Sequence, residues 1–207
     1  AQSSNLESTQ ISPQLEWDRI EPVIKILKSK RIPISVDTYK PYVIRKCLDA
    51  GVNYINNINS FRDDESLKVL QEFERELPEL ILMYSHNQGD QAAEGSPLNT
   101  NTILDDIFFF FEKQIKRFSE AGIDTSKIIF DPGMGLFLGE DPELSFAVLR
   151  NIKKFKEKFG KTLVSVSRKS FLGNALGGLP PIDRNHATLS AEIYLFSQGI
   201  DFIRTHD

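Results

Sequence analysis

Acidic, amide and cationic side chains stand at the ends of short apolar runs in this chain. Asp37 closes Ile34–Val36, Asn56 and Asn57 close Val52–Ile55, and Asp131 closes Ile128–Phe130. A carboxylate in such a place accepts hydrogen bonds from ring N–H or amino groups, or holds a cation, and an amide offers a heterocycle both a donor and an acceptor. Further on, Leu163–Val166 runs into Ser167–Arg168–Lys169–Ser170, and Asp201–Ile203 runs into Arg204–Thr205–His206–Asp207. Arg supplies a planar fork and Lys a movable point charge, so this set reads as a phosphate or diphosphate site. Each residue also has a plainer use. Asp37 suits an N-cap for the helix that follows, and adjacent asparagines can bond to their own backbone.

The segment Phe130–Asp131–Pro132–Gly133–Met134–Gly135–Leu136–Phe137–Leu138–Gly139 is a more specific signal. Its spacing fits neither a nucleotide P-loop nor a dinucleotide fingerprint. Glycines there permit positive φ or close approach, and the apolar residues between them are expected to form a flap over a ring. His86, His186 and His206 have no short ligand spacing, so no metal signature is secure. No serine sits in a nucleophile elbow, and Cys47 falls inside a helical stretch.

The elements that must position these residues follow from periodicity. Six apolar runs, the third being Leu80–Met83 before Tyr84–Ser85, alternate with helical patterns. Strands are expected at 34–37, 52–56, 80–84, 127–131, 161–166 and 200–204. Helices are expected at 15–30, 40–50, 63–75, 101–121, 142–158 and 186–198, with Pro22 interrupting the first. Trp17, Ile20, Val23, Ile24 and Ile26–Leu27 would form the apolar side of that first helix. Residues 86–99 and 173–186 read as loops, the former of a length that is often functional. Phe108–Phe111 covers more than one helical face and suits core packing or a subunit contact. Such alternation implies right-handed crossovers and a parallel sheet with its site at the strand ends. Six units correspond either to an open sheet or to part of an eight-stranded barrel, which typically takes about 250 residues.

Composition narrows the function classes. The chain has 207 residues, enough for one domain with a sizeable core. Its 25 basic residues against 29 acidic ones give a net charge of −4, which does not favour a nucleic-acid surface. No apolar stretch approaches membrane-spanning length, and a single cysteine suits a reducing, cytoplasmic setting.

Several motifs resemble dihydropteroate synthase. They are Ile34–Ser35–Val36–Asp37–Thr38, Tyr54–Ile55–Asn56–Asn57–Ile58, Phe130–Asp131–Pro132–Gly133, Ser167–Arg168–Lys169–Ser170–Phe171–Leu172–Gly173 and Ile203–Arg204–Thr205–His206–Asp207, in that order. Ser3–Ser4–Asn5 and Gly133–Gly139 look closer to the sulfonamide-resistant branch of that family. The resemblance implies an α/β fold, a (β/α)8 TIM barrel represented here by about six of its eight βα units. The implied reaction joins 6-hydroxymethyl-7,8-dihydropterin diphosphate to p-aminobenzoate, giving 7,8-dihydropteroate and diphosphate. By position, Asp37, Asn56, Asp131 and Lys169 would hold the pterin, while Arg204 and His206 would hold the leaving diphosphate with Mg2+ assisting. Ser167 and Lys169 would border the p-aminobenzoate pocket, with Met83, Gly135 and Leu136 also facing substrate and Ser3, Ser4 and Asn5 in a closing loop. A homodimer is the family's usual assembly.

Departures from the family pattern are equally legible. Its first two strands, the first bearing an Asn associated with the metal, and its last helix have no counterpart in residues 1–207. Asn56–Asn57 stands where an Asn–Asp pair is usual, and Ser4–Asn5 replaces a Thr–Arg. The expectation is therefore a longer native protein and an inactive isolated 207-residue piece. Two rivals remain at this level: a methyltransferase domain that binds methyltetrahydrofolate, and a non-catalytic pterin-binding homologue.

Overall fold

The computed structural model describes residues 11–86 and 97–206. They form two compact units. One comprises the residues up to Met83 with Lys113–Ile128, the other Tyr84–Glu112 with the residues from Ile129 onward. Ser3, Ser4, Asn5, most of the predicted 86–99 loop and Asp207 lie outside the described residues.

In the first unit, β1 (Ser35–Asp37), β2 (Tyr54–Asn57) and β3 (Glu79–Met83) pair in parallel. The register sets Asp37 opposite Asn56, and Asn56 opposite Ile81. Helices α1 (Pro13–Ser29), α2 (Pro41–Asp49) and α3 (Asp64–Glu72) accompany these strands. Val43, Ile44, Cys47, Ile55, Leu70, Leu80 and Leu82 are buried at its centre. Burying each such side chain contributes about 1.5–3 kcal/mol. Ser12 caps α1, its Oγ accepting from the Leu15 N–H at 3.2 Å, and Pro13 occupies the first helical position.

Pro22 does not break α1, contrary to expectation. It lies on the exposed side, where water can satisfy the carbonyl that its missing N–H leaves. Val23 and Ile26 of the predicted apolar side are also exposed, while Glu16 is buried. Its partner is Lys40, whose Nζ lies 3.0 Å from Glu16 Oε2 and donates to the Ile11 carbonyl at 2.5 Å. Periodicity misassigned this helix because an ion pair takes one of its buried places.

In the second unit, Phe130 of β4 (Ile128–Asp131) bridges Thr162 in parallel. Leu163 and Val164 of β5 then pair with Phe202 and Ile203 of β6. The predicted fifth strand, 161–166, is thus regular over only two residues. The predicted helix 142–158 is two helices, α5 (Pro142–Arg150) and α6 (Ile152–Phe159). At the joint, Asn151 leaves helical geometry with φ −113° and ψ 12°, and its Nδ2 donates to the Ala147 carbonyl at 3.0 Å. A short helix, α7 (Ser170–Ala175), intrudes on the expected loop, and α8 (Asn185–Ser197) follows.

The four consecutive phenylalanines fall in α4 (Ile103–Glu120). Phe111 is fully buried, with ring centroids 5.1 Å from Phe130, 5.7 Å from Phe155 and 5.6 Å from Phe159. Phe108 and Phe110 lie edge-on to Phe159 and Tyr84. Phe109 alone of the four is exposed, at 70%. Core packing therefore accounts for three of them. No helix among the described residues is long and apolar enough to cross a membrane.

Candidate active site

Each unit presents its chemistry at the C-terminal ends of its strands. In the first, Asn56 Nδ2 donates to Asp37 Oδ2 at 3.0 Å across the β1–β2 pairing. Asp37 does not cap α2, whose N-cap is Lys40 without a side-chain bond. Asn56 Oδ1 is buried and accepts from no donor among the described residues. Amide and carboxylate together thus offer acceptors to a guest rich in N–H groups.

Asn57 points the other way, as strand alternation requires. Its Oδ1 accepts from the Asn59 N–H at 2.8 Å and the Phe61 N–H at 3.2 Å, closing the turn that holds Ser60 and Phe61 at positive φ. Met83 is 4% exposed and its carbonyl accepts from Ser60 Oγ at 2.8 Å. It serves as core here, with little surface left to face a substrate. Cys47 is buried within α2, and burial pushes its thiol up to about 12, which makes it a poor nucleophile.

In the second unit, Asp131 is 2% exposed and its Oδ1 accepts from the Gly133 N–H at 2.9 Å. Gly133 has φ +73°, and a Cβ there would stand 2.3 Å from the Tyr84 carbonyl oxygen, so only glycine fits. The following loop is not a flap. Residues Gly135–Phe137 form a 3-10 turn, Met134, Phe137 and Leu138 are buried, and the Gly135 N–H donates to Ser145 Oγ at 2.9 Å. Apolar side chains that look like a cover in sequence are part of the core. Only Leu136 stays half-buried.

Lys169 extends its Nζ 4.6 Å from the centroid of the Phe137 ring, and its Cδ lies 3.3 Å from where a Gly135 Cβ would be. Arg204 Nε reaches Ser165 Oγ at 3.4 Å, and Ser167 Oγ contacts both the backbone N and Nδ1 of His206. The parallel β5–β6 register brings these residues to one edge, with Arg204 N donating to the Val164 carbonyl at 3.0 Å. Ser167 and His206 are therefore neighbours, as are Ser165 and Arg204, and Lys169 lies against the 135–137 turn. Arg184 and Thr188, which hold the backbone of Arg168, carried no signal in sequence because nothing in their spacing links them to it.

Two tempting features do not belong to this chemistry. An apolar groove of about 610 Å3 lies among α5, α7 and α8, lined by Phe146, Leu149, Leu172, Leu176 and Tyr194, and contains none of the strand-end residues. Among the described residues no three His, Cys, Asp or Glu side chains gather in a way that would hold a metal ion. The donor set on view does not amount to a protein-built Mg2+ site.

The geometry can be set beside known proteins. A family model described as "Pterin binding enzyme" matches residues 1–206. The chain belongs to the pterin-binding enzyme family. It is 40% identical to a type-3 dihydropteroate synthase of Escherichia coli, covering 100% of this chain and 77% of that one. Among solved structures, a Yersinia pestis dihydropteroate synthase in complex with a sulfonamide drug superposes with a TM-score of 0.89 at 29% identity, covering 100% of this chain and 73% of the other. A Burkholderia cenocepacia dihydropteroate synthase complexed with 7,8-dihydropteroate gives 0.87 at 26%, covering 100% and 74%. The fold is accordingly the α/β barrel of these pterin enzymes, with six parallel-type strands among the described residues.

Proposed function

We infer that this pterin-family chain is a dihydropteroate synthase, a transferase that joins 6-hydroxymethyl-7,8-dihydropterin diphosphate to p-aminobenzoate and releases diphosphate. One observation carries the reading beyond the family: the cross-linked strand ends of β5 and β6, where Ser165 meets Arg204 and Ser167 meets His206. A guanidinium and an imidazole fixed side by side suit a diphosphate leaving group.

The roles follow from side-chain chemistry. The C–O bond between the pterin methylene and diphosphate breaks, and its electrons leave with the diphosphate. Arg204 and His206 stabilise that charge. The positive charge left on the methylene spreads into the pterin ring, and the buried Asp131 carboxylate is assigned to the ring edge. Asp37 and Asn56 are assigned to pterin N–H and amino groups, Lys169 to the pterin and the arylamine side. The p-aminobenzoate nitrogen then forms the new C–N bond and loses a proton. No covalent enzyme intermediate is required; orientation and electrostatics supply the acceleration.

Titration of the native enzyme with pterin diphosphate, with and without p-aminobenzoate, tests this. Release of diphosphate with formation of dihydropteroate supports it. Binding without turnover would favour a non-catalytic homologue, and methyl transfer from methyltetrahydrofolate would favour the methyltransferase.

Further parts of the reading stand as proposals of their own. Mg2+ is proposed only as a companion of the substrate diphosphate, since this ion is commonly held by phosphate oxygens, water and one or two carboxylates. The steps assigned to this chain's residues do not pass through it. A homodimer is proposed from the exposed Leu189, Ile193 and Phe196 on α8, and a sedimentation mass of one chain would remove it. Cytoplasmic location is proposed from the lone cysteine. Membership of the sulfonamide-resistant branch is proposed from the sequence of Ser3–Asn5 and of Met134–Gly139, where Leu136 is the one side chain left half-buried and could reject a sulfonyl group by clash. Equal inhibition by sulfamethoxazole of this enzyme and a sensitive relative would remove that idea.

A further inference from the structure

Arg168 stands between two residues assigned to the site, and its backbone is in the left-handed region at φ +55°. A non-glycine residue keeps that conformation only where the surroundings over-determine it. Here they do. The Arg168 N–H donates to Thr188 Oγ1 at 2.9 Å, and Thr188 is 2% exposed. Its carbonyl accepts from Arg184 Nη1 at 2.8 Å, while Arg184 Nε donates to the Leu179 carbonyl at 2.7 Å. Both peptide groups of the strained residue are therefore gripped by side chains at the start of α8.

The grip requires a gap in the polypeptide. A Cβ on Gly173 would lie 2.3 Å from Arg184 Nε, 2.8 Å from its Cζ and 2.5 Å from the Leu179 carbonyl oxygen. Gly173 is thus glycine because the guanidinium lies against it, with no positive φ involved. The burial that allows this lowers the Arg184 pKa from its ordinary value, and both of its contacts go to backbone carbonyls.

We propose that Arg184 and Thr188 are positioning residues for the reaction, clamping Arg168 so that Ser167 faces His206 and Lys169 faces the Phe137 ring. The two neighbours of Arg168 look toward different partners, and the reversed turn between them fixes their separation. Neither Arg184 nor Thr188 contacts substrate; both act through the 167–169 backbone. The proposal rests on the synthase reading for its kinetic consequence, whereas the clamp itself is a statement about backbone order.

The test uses the full-length enzyme with Thr188→Val, Thr188→Ser and Arg184→Gln. Thr188→Val removes the acceptor with little change of shape, and misplacement of Ser167 and Lys169 should cost about tenfold or more in kcat/KM. The loss should exceed any loss of folded protein and include a raised KM for p-aminobenzoate. Thr188→Ser restores the acceptor and should return kcat/KM to within about threefold of wild type. Amide hydrogen exchange across residues 167–169 should quicken in Thr188→Val and Arg184→Gln, and not in Thr188→Ser. Unchanged exchange in those two variants overturns the clamp. Altered exchange with unchanged kinetics, or losses that merely track the folded fraction, overturns its positioning role. Failure of the wild-type enzyme to release diphosphate would sink the synthase reading instead, and the exchange comparison would still judge the clamp.

Discussion

Ser167 Oγ lies 2.9 Å from Nδ1 of His206 and 3.2 Å from the same residue's backbone N. The backbone N–H can only donate, so the hydroxyl accepts there, and it meets Nδ1 as donor or as acceptor according to the imidazole tautomer. A serine thus fixes the tilt of the histidine assigned to the diphosphate.

Ser167→Ala should therefore lower kcat by about tenfold to a hundredfold with little change in folding, since misplacing a reacting group by about 1 Å can cost about a hundredfold. The loss should appear in kcat, because the ring loses the hydroxyl that holds Nδ1. Steady-state kinetics, beside a thermal melt, checks this; an unchanged kcat would show that His206 is oriented by something else.

The Glu16–Lys40 pair should respond asymmetrically to substitution. Lys40→Met leaves the buried Glu16 carboxylate uncompensated and should cost about 3–5 kcal/mol. Glu16→Leu combined with Lys40→Met should recover most of that loss. Urea unfolding of the single and double variants decides, and equal destabilisation by both would refute the account.

Asn57 is an acceptor by geometry. Its Oδ1 takes two backbone N–H groups, while its buried Nδ2 has no acceptor among the described residues. Asn57→Asp keeps both bonds and, although it buries a charge, should cost less than Asn57→Leu, which strands two backbone donors and should cost about 2–3 kcal/mol. Chemical denaturation of the two variants separates these outcomes. The same reasoning explains why the amide does not by itself remove a function: it faces a turn, not the site.

Asp201 supplies a pH dependence. Burial acts to raise its pKa, but the Lys156 ammonium at 2.7 Å and the Thr162 N–H at 2.9 Å bring the net shift below the ordinary carboxylate value. A carboxylate depressed in the folded state stabilises above its unfolded pKa and loses that contribution as pH falls through the folded value. Wild type should therefore be more stable than Asp201→Asn at neutral pH, with the difference shrinking as pH falls through the acidic range. Melting temperatures at a series of pH values check the slope, and a constant difference would overturn it.

Legibility in the sequence varied from residue to residue. Asp131 and Asp37 could be placed at strand ends because an apolar run that stops at a carboxylate is a local pattern. Opposite facing of Asn56 and Asn57 followed from the two-residue period of a strand. The break at Asn151 was not legible, since a single asparagine bonding to the carbonyl four residues back leaves the apolar period almost intact. Nor was the fate of Met134, Phe137 and Leu138, because the same apolar residues serve a cover or a core equally well.

Sequence alone determined the order of strands and helices, the residue types at the strand ends and the family, all of which are written in short-range patterns. Tertiary structure decided which of those residues become neighbours. Ser167 meets His206 across 39 positions, and Arg184 reaches Arg168 over Gly173. Such contacts depend on the register of parallel strands and on the space left by an absent side chain, neither of which any local stretch of chain encodes.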